Sequence, residues 1–106
     1  MFVQVINGKV ADGGAARKLG ERWVEELGAD ASGWLGSTAG VTADGELVVL
    51  ARFASAEAAQ RNSERPEQGA WWAEMEKLFV EEPRFADYDD VLLVGGADPM
   101  RPGSCR

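Results

Sequence analysis

The chain has 106 residues, of which 45% are hydrophobic and 27% are charged, and these proportions are typical of one globular domain with one core. Its net charge of -7 argues against binding to DNA or RNA, which needs a basic surface. No apolar run approaches the roughly 20 residues of a membrane span. The first residues also lack the basic start and long apolar stretch of a signal peptide, so we expect a cytoplasmic protein.

Two residue types limit the chemistry that this chain can perform. Histidine, the commonest general base and the commonest zinc ligand, is absent. The single cysteine, Cys105, can form no intramolecular disulfide and cannot build a metal site alone. The composition therefore excludes hydrolases that depend on histidine, and we expect no metal and no cofactor.

The first half of the chain predicts a strand, a helix and a hairpin. Residues 2–7 contain four large apolar residues in six positions, which indicates a strand. Asp12 is a candidate helix N-cap, and apolar residues then recur at steps of three and four from residue 15 to 27. Residues 34–41 and 46–53 flank an Asp-Gly pair, a strong hairpin signal. Side chains alternate between the two faces of a strand. Along residues 34–41 this predicts that Trp34 lies on the same face as Gly36, Thr38 and Gly40.

The second half predicts two helices, a strand and a tail. Ser55 is a candidate N-cap for a helix that continues to about residue 62. Pro66 cannot continue that helix but suits the first turn of another, which carries Trp71 and Trp72 through to Phe79 and stops before Pro83. Residues 88–94 are predicted to form the last strand. We expect one domain over residues 1–96, followed by a flexible tail over residues 97–106.

This order of elements, βαββαβ, predicts an α+β fold of the ferredoxin-like type, with a four-stranded antiparallel sheet and the helices on one face. Residues 2–6, 47–50 and 91–94 are nearly continuous apolar runs. An antiparallel sheet with one face in water should instead alternate between apolar and polar residues. The helices can cover only one face, so we expect a homodimer in which two sheets face each other about a twofold axis.

The sequence from Phe53 through Ala54-Ser55-Ala56-Glu57-Ala58-Ala59 continues to Asn62-Ser63-Glu64-Arg65-Pro66-Glu67-Gln68-Gly69-Ala70-Trp71-Trp72. Together with the order of elements and a strand that ends at Asn7, this stretch resembles the antibiotic biosynthesis monooxygenase-like group of the dimeric α/β-barrel superfamily. The stretch is similar to small actinobacterial members of that group. The resemblance covers residues 1–96 and implies a dimeric α/β barrel.

The resemblance implies several chemistries, because this superfamily includes oxygenases, haem-degrading enzymes, isomerases and plain ligand binders. In its cofactor-free, quinone-forming monooxygenases, an asparagine, a tryptophan and a tyrosine bind an aromatic polyketide between helices and sheet. Asn62 and either Trp71 or Trp72 match the first two, whereas the tyrosine has no clear match. In the haem-degrading branch Asn7 matches an asparagine, but the iron-ligating histidine is missing, which argues against haem oxygenation.

The candidate site residues follow from this resemblance and from the sequence pattern. The candidate catalytic residues are Asn62 and Trp72, and the candidate substrate-binding residues are Asn7, Trp34, Arg65, Trp71 and Tyr88. Each also has a structural explanation. The tryptophans suit a core or a dimer contact, the asparagines suit helix or strand ends, Arg65 suits a local ion pair, and Tyr88 suits a half-buried strand position.

Two functional hypotheses therefore stand together. The first is a cofactor-independent monooxygenase-like protein that binds a planar aromatic or quinone-like small molecule between helices and sheet. The second is a non-catalytic dimeric module that binds a ligand or a partner. A connected cavity beside Trp71 and Asn62 would favour the first hypothesis. If Trp23, Trp34 and Phe79 fill that space, the enzyme hypothesis loses its site.

Overall fold

Four strands form one antiparallel sheet in the computed structural model, which describes residues 1–95. In chain order the strands are β1 (Phe2–Lys9), β2 (Trp34–Val41), β3 (Glu46–Phe53) and β4 (Arg84–Tyr88). Their spatial order is β2-β3-β1-β4, so the first strand and the third lie in the centre. The predicted tail over residues 97–106 lies outside the described residues.

Three α-helices pack against one face of this sheet. They are α1 (Gly13–Glu26), α2 (Ala56–Ser63) and α3 (Pro66–Glu76), and a short 3₁₀ helix (Gly28–Asp30) follows the first. This arrangement confirms the predicted ferredoxin-like fold, with its second helical region divided at Pro66. No helix within residues 1–95 is long and apolar enough to cross a membrane.

Local signals in the sequence fix where each helix starts. Asp12 Oδ1 accepts a hydrogen bond from the backbone N–H of Ala15 at 3.1 Å, and Ser55 Oγ accepts one from Ala58 N–H at 3.1 Å. Both bonds satisfy backbone donors that have no partner inside the first helical turn. Pro66 occupies the first turn of α3, where its missing N–H costs nothing. These three predicted helix starts are confirmed.

Three predicted element ends are wrong. β1 continues beyond Asn7 to Lys9, because residues 7–9 keep pairing with β3. α3 ends at Glu76, after which Phe79 forms an isolated bridge with Val10 instead of continuing the helix. The last strand covers Arg84–Tyr88 and not residues 88–94. Its five residues pair with Val3–Asn7 along the edge of β1 that β3 leaves free. Residues 91–94 therefore come too late in the chain to pair there.

A β-bulge changes the face on which Trp34 lies. Trp34 pairs with Phe53 and Gly36 pairs with Arg52, so Leu35 has no opposite residue in the ladder. The extra residue returns Trp34 to the helix side of the sheet, where its Nε1 donates to Ser37 Oγ at 2.9 Å. The predicted grouping of Trp34 with Gly36, Thr38 and Gly40 is therefore wrong.

The face of the sheet away from the helices is the open face, defined here by Val3, Val5, Val48, Leu50 and Tyr88. These residues lie on it because strand side chains alternate and the helix side takes Gln4, Ile6 and Val49. Val48, Leu50 and Tyr88 are all exposed. Val3, in contrast, is only 6% exposed, so the open face is exposed in part.

Candidate functional site

A cavity of about 640 Å³, the main cavity, lies between α1, α3 and the helix side of the sheet. Ala16 and Gly20 of α1 face it from above, and Ala39 and Ala51 of the sheet face it from below. Small side chains on both walls leave a gap that closely packed large residues would fill. Larger apolar side chains complete the lining; they include Ile6, Trp23, Trp34, Val49, Phe53, Trp71 and Met75.

Three tryptophans line the main cavity, and each has its indole N–H occupied. Trp23 donates to Gln68 Oε1 at 2.5 Å, Trp34 donates to Ser37 Oγ at 2.9 Å, and Trp71 donates to the carbonyl of Leu19 at 2.8 Å. The rings of Trp23 and Trp34 meet edge to face, with centroids 4.9 Å apart. These indoles therefore offer apolar ring surface to a ligand, and their polar groups hold the helices and the bulge in place.

Asn62 supplies a hydrogen-bonding group to the main cavity. It lies near the end of α2 and is 7% exposed, the one polar residue buried to this degree among residues 1–95. Its Oδ1 accepts from Arg65 Nη1 at 3.1 Å. No residue in the described part of the chain accepts from its Nδ2. The amide NH₂ is thus a donor for a carbonyl or phenolate oxygen in the cavity.

Arg65 lies behind Asn62 and does not line the cavity. Its Nη1 also donates to the carbonyl of Leu27 at 3.3 Å, and its Nε lies 3.6 Å from Glu67 Oε2. The guanidinium is therefore held by three different groups. The structure makes Arg65 a residue that orients the Asn62 amide, where the sequence suggested a direct substrate contact.

Two other sequence candidates lie away from the main cavity. Asn7 follows Ile6 on β1, and alternation directs it to the opposite side of the sheet. Its Oδ1 is buried there without a hydrogen-bond partner among residues 1–95. Tyr88 lies on the same side, at the end of β4, and is exposed. Within one chain, neither side chain would contact a ligand in the main cavity.

A second cavity of about 230 Å³, the side cavity, lies between α3 and strands β1 and β4. Trp72 lines this cavity and not the main one, and its ring meets that of Phe85 at 5.5 Å between centroids. Gln4, Ile6 and Gln68 line both cavities, which adjoin at these residues. The structure thus separates Trp72 from Trp71, which the sequence had grouped.

Sequence reasoning missed Gln4 and Gln68 as site residues. A signal for Gln4 was present, because it is the polar residue in the apolar run of β1 and alternation puts it on the helix side. Gln68 had no such signal. Its importance comes from the hydrogen bond with Trp23, which is distant in sequence.

Charged residues near the cavities mostly pair with one another. At the mouth of the main cavity, Arg17 Nε lies 3.0 Å from Glu21 Oε1. Arg22 hydrogen-bonds Glu74 and so links α1 to α3; this bond lowers the pKa of Glu74 and raises the pKa of Arg22. No group of three or more acidic, histidine or cysteine residues within residues 1–95 could hold a metal ion.

Known protein structures resemble this chain in fold. No protein-family model and no curated protein matches the sequence. SnoaB, a cofactor-independent oxygenase from Streptomyces nogalater, is 14% identical with a TM-score of 0.73, over 88% of this chain and 95% of that one. A monooxygenase from the gene ActVA-Orf6 of Streptomyces coelicolor, solved with the ligand nanaomycin D, is 23% identical with a TM-score of 0.67, over 88% and 89%.

A third structure extends this likeness beyond Streptomyces. It is a candidate antibiotic biosynthesis monooxygenase from Caulobacter crescentus CB15, 21% identical with a TM-score of 0.74, over 86% of this chain and 90% of that one. All three matches span most of both chains. The chain therefore has the ferredoxin-like fold of the antibiotic biosynthesis monooxygenase proteins.

Proposed function

We propose that this protein binds a planar aromatic or quinone-like molecule in the main cavity and oxidises it without a cofactor. The proposal depends on one observation: a cavity of about 640 Å³ is lined by three indole rings and by one buried amide donor, Asn62. That volume lies within the range of roughly 300–1,000 Å³ for small-molecule sites. Flat aromatic rings suit such walls, because they bury a large apolar area and stack on indoles.

Two proteins with the same fold suggest oxidation as the reaction to test. SnoaB is a cofactor-independent oxygenase, and the ActVA-Orf6 structure holds nanaomycin D. At 14% and 23% identity these likenesses support a fold and not a mechanism. The chemistry must therefore be argued from the residues of this chain.

Cofactor-free oxygenation suits a site with few ionisable groups. Anthrone is the keto tautomer of a three-ring phenol, and loss of a proton from its CH₂ group to water gives an anion that can donate electrons to O₂ directly. The CH₂ group becomes a carbonyl, one atom of O₂ enters that carbonyl, and the other leaves as water. All four electrons come from the substrate, so no external reductant is needed. The protein has only to bind the anion, exclude water and stabilise the negative oxygen.

Asn62 is the residue placed to stabilise that oxygen. Its Oδ1 is held by Arg65 at 3.1 Å, so its NH₂ has a fixed direction. A preorganised donor in an apolar site stabilises developing negative charge more than water does. Trp23, Trp34 and Trp71 would hold the ring system. Trp72 would contact only a part of the ligand that enters the side cavity.

Oxygen uptake with anthrone tests this proposal. We expect the wild-type protein to consume one O₂ per anthrone, with anthraquinone as product, faster than the solution reaction. Asn62→Ala should lower the rate about 100- to 1,000-fold, because one oxyanion donor is lost. Gln60→Ala, an exposed change in the same helix, is the matched control. Equal rates in both variants would remove Asn62 from the mechanism, and no uptake above the blank would overturn the oxygenase proposal.

A second candidate function is ligand binding without turnover. One observation favours it: the charged residues lining the main cavity, Arg17 and Glu21, pair with each other at its exposed mouth. Among residues 1–95, the carboxylate of Glu21 is the one that lines this cavity, and it is held in that ion pair. Saturable binding of anthrone-like phenols without oxygen uptake would support this second function.

We also propose that a second copy of the chain covers the open face. Val48, Leu50 and Tyr88 would otherwise remain exposed on this face of the sheet, which also carries Arg52 and Arg84. The buried Oδ1 of Asn7 faces the same side and lacks a donor within residues 1–95. Association through this face would bury the apolar side chains and could bring a donor to Asn7.

A further inference from the structure

The side cavity has a different chemical character from the main cavity. Its apolar wall is the edge-to-face pair of Trp72 and Phe85, with ring centroids 5.5 Å apart at an interplanar angle of 61°. Its polar lining includes the carboxylate of Asp87 and the amides of Gln4 and Gln68. Phe85 remains largely exposed even though it lies on the helix side of the sheet. The pair thus presents aromatic surface that the protein itself does not cover.

Asp87 is the only charged residue lining the side cavity, so this cavity carries negative charge. No lysine or arginine within residues 1–95 forms an ion pair with Asp87; the ion pairs found there involve Glu21, Glu26, Glu67 and Glu74. A carboxylate without a counterion repels anionic groups and attracts cations. An aromatic face beside it strengthens the attraction for an ammonium group through the cation–π interaction.

The indole N–H of Trp72 distinguishes this cavity further. The other three tryptophans all donate their N–H to protein acceptors. Within the described part of the chain, Trp72 donates to none. Tryptophan N–H groups usually find a partner when they are buried, so this one remains for solvent or for a ligand.

The two cavities adjoin at three residues that line both of them. These residues are Gln4, Ile6 and Gln68, and Gln68 is fixed by the hydrogen bond that its Oε1 accepts from Trp23. The Gln68 Nε2 has no acceptor within residues 1–95. The side cavity is therefore the neighbour of the main cavity on the side where β1 meets the first turn of α3.

We propose that the ligand carries a basic amino substituent, and that the side cavity binds this ammonium group between Asp87 and the ring of Trp72. This inference rests on the proposed function, because it assumes a planar ring system in the main cavity. The main cavity then selects for flatness and the side cavity selects for positive charge. A carboxylate or phosphate on the same position of the ligand would meet Asp87 unfavourably.

A pair of matched probes tests the charge selection separately from ring binding. The probes are 2-(aminomethyl)anthraquinone, which is cationic at pH 7, and 2-(hydroxymethyl)anthraquinone, which is neutral and of similar size. Each is titrated against wild-type protein while tryptophan fluorescence is followed. We expect the cationic probe to bind about fivefold more tightly, since the ion pair is partly exposed and weaker than a buried one. Binding of the neutral probe alone tests the ring site.

Three variants assign the preference to the side cavity. Asp87→Asn should abolish the preference for the cationic probe without weakening the neutral one, and Asp87→Glu should keep much of it. Asp90→Asn removes the same charge from an exposed position outside the cavity, so it should keep the full preference. Trp72→Leu should also reduce the preference, because it removes the aromatic face.

The outcomes separate the inference from the proposed function. Equal affinities for the two probes in the wild-type protein would overturn the inference and leave the ring site intact. A preference retained by Asp87→Asn would also overturn it, since the net charge of -7 would then explain the selection. If neither probe binds, both the inference and the proposed function fail.

Discussion

Trp23 donates its indole N–H to the Oε1 of Gln68 at 2.5 Å, and this bond joins α1 to the first turn of α3 above the sheet. Trp23 lines the main cavity, and Gln68 lines both cavities. With the bonds from Arg22 to Glu74 and from Trp71 to the Leu19 carbonyl, this bond is one of three side-chain links between these helices within residues 1–95, and it holds Gln68 where both cavities meet.

Replacing Gln68 should weaken both stability and binding. In Gln68→Ala the half-buried indole N–H of Trp23 loses its hydrogen-bond acceptor. We therefore expect the free energy of unfolding to fall by about 1 kcal/mol. The affinity of the protein for a neutral three-ring probe should fall as well, because the Trp23 ring that lines the main cavity is no longer held by Gln68. Urea unfolding and fluorescence titration measure the two effects. Gln60→Ala is the exposed control, and an equal effect in the two variants would contradict a structural role for this bond.

Gly45 should tolerate no side chain. Its φ is +93°, and a Cβ there would lie 2.5 Å from the carbonyl oxygen of Val10. We expect Gly45→Ala to lower the free energy of unfolding by about 2 kcal/mol, from backbone strain and steric overlap together. The control is Gly20→Ala in α1, where nothing lies within 4 Å of the added Cβ. That change should stabilise the protein by up to about 1 kcal/mol. A stable Gly45→Ala protein in urea would contradict this turn geometry.

The ion pair between Arg22 and Glu74 should make stability depend on acid pH. The hydrogen bond from Arg22 lowers the pKa of Glu74 from its ordinary value of 4.5, so the folded state holds the charged form more tightly than the unfolded state. The resulting stabilisation is fully present above pH 4.5 and is lost as the pH falls through the lowered folded value. Glu74→Gln should therefore be less stable than wild type at pH 7 and equally stable in strong acid.

Urea midpoints measured at several pH values test this linkage. We expect a small difference, because both partners are solvent-accessible and such pairs contribute little. Glu76→Gln, at a neighbouring exposed position in the same helix, is the control and should show no comparable pH dependence. A Glu74→Gln effect that persisted unchanged into strong acid would show that the lost contact is not an ion pair.

A charge on the open face should separate the proposed dimer. Leu50→Lys places an ammonium group in the centre of the apolar surface, where a second copy would have to desolvate it. We expect the wild-type protein to sediment as a dimer and the variant as a monomer. Val80→Lys adds the same charge to an exposed position after α3 and should leave the mass unchanged. A wild-type monomer at high concentration would contradict the dimer proposal.

Local signals explain most of the fold that could be predicted from the sequence. The caps at Asp12 and Ser55 and the turn at Gly45 each depend on a few adjacent residues. The prediction of the last strand was wrong because residues 91–94 are more apolar than Arg84–Tyr88 and so look more like a buried strand. In the structure Leu92 is 84% exposed. Pairing with β1 determines which residues form the last strand, and this pairing depends on the path of the chain after α3. The bulge at Leu35 likewise has no counterpart in simple alternation.

The site was predictable in part. Asn62 was recognised as a candidate, and the structure places it in the wall of the main cavity. Its orientation depends on Arg65, Leu27 and Glu67, which no sequence spacing brings together. The cavity itself arises where small residues of α1 face small residues of the sheet, so it exists only once the elements have packed. Asn7 was grouped with the site because it matches an asparagine of the haem-degrading branch, although alternation along β1 places it on the side opposite Ile6.

The most direct test of the central claim is a fluorescence titration with anthrone under anaerobic conditions, repeated on a blocked cavity. Ala51→Phe fills the floor of the main cavity, whereas Ala73→Phe enlarges an exposed alanine of α3 that does not line it. The account predicts saturable quenching at micromolar anthrone in the wild-type protein and in Ala73→Phe, and none in Ala51→Phe. Quenching that did not saturate, or that survived in Ala51→Phe, would contradict a ligand site between helices and sheet.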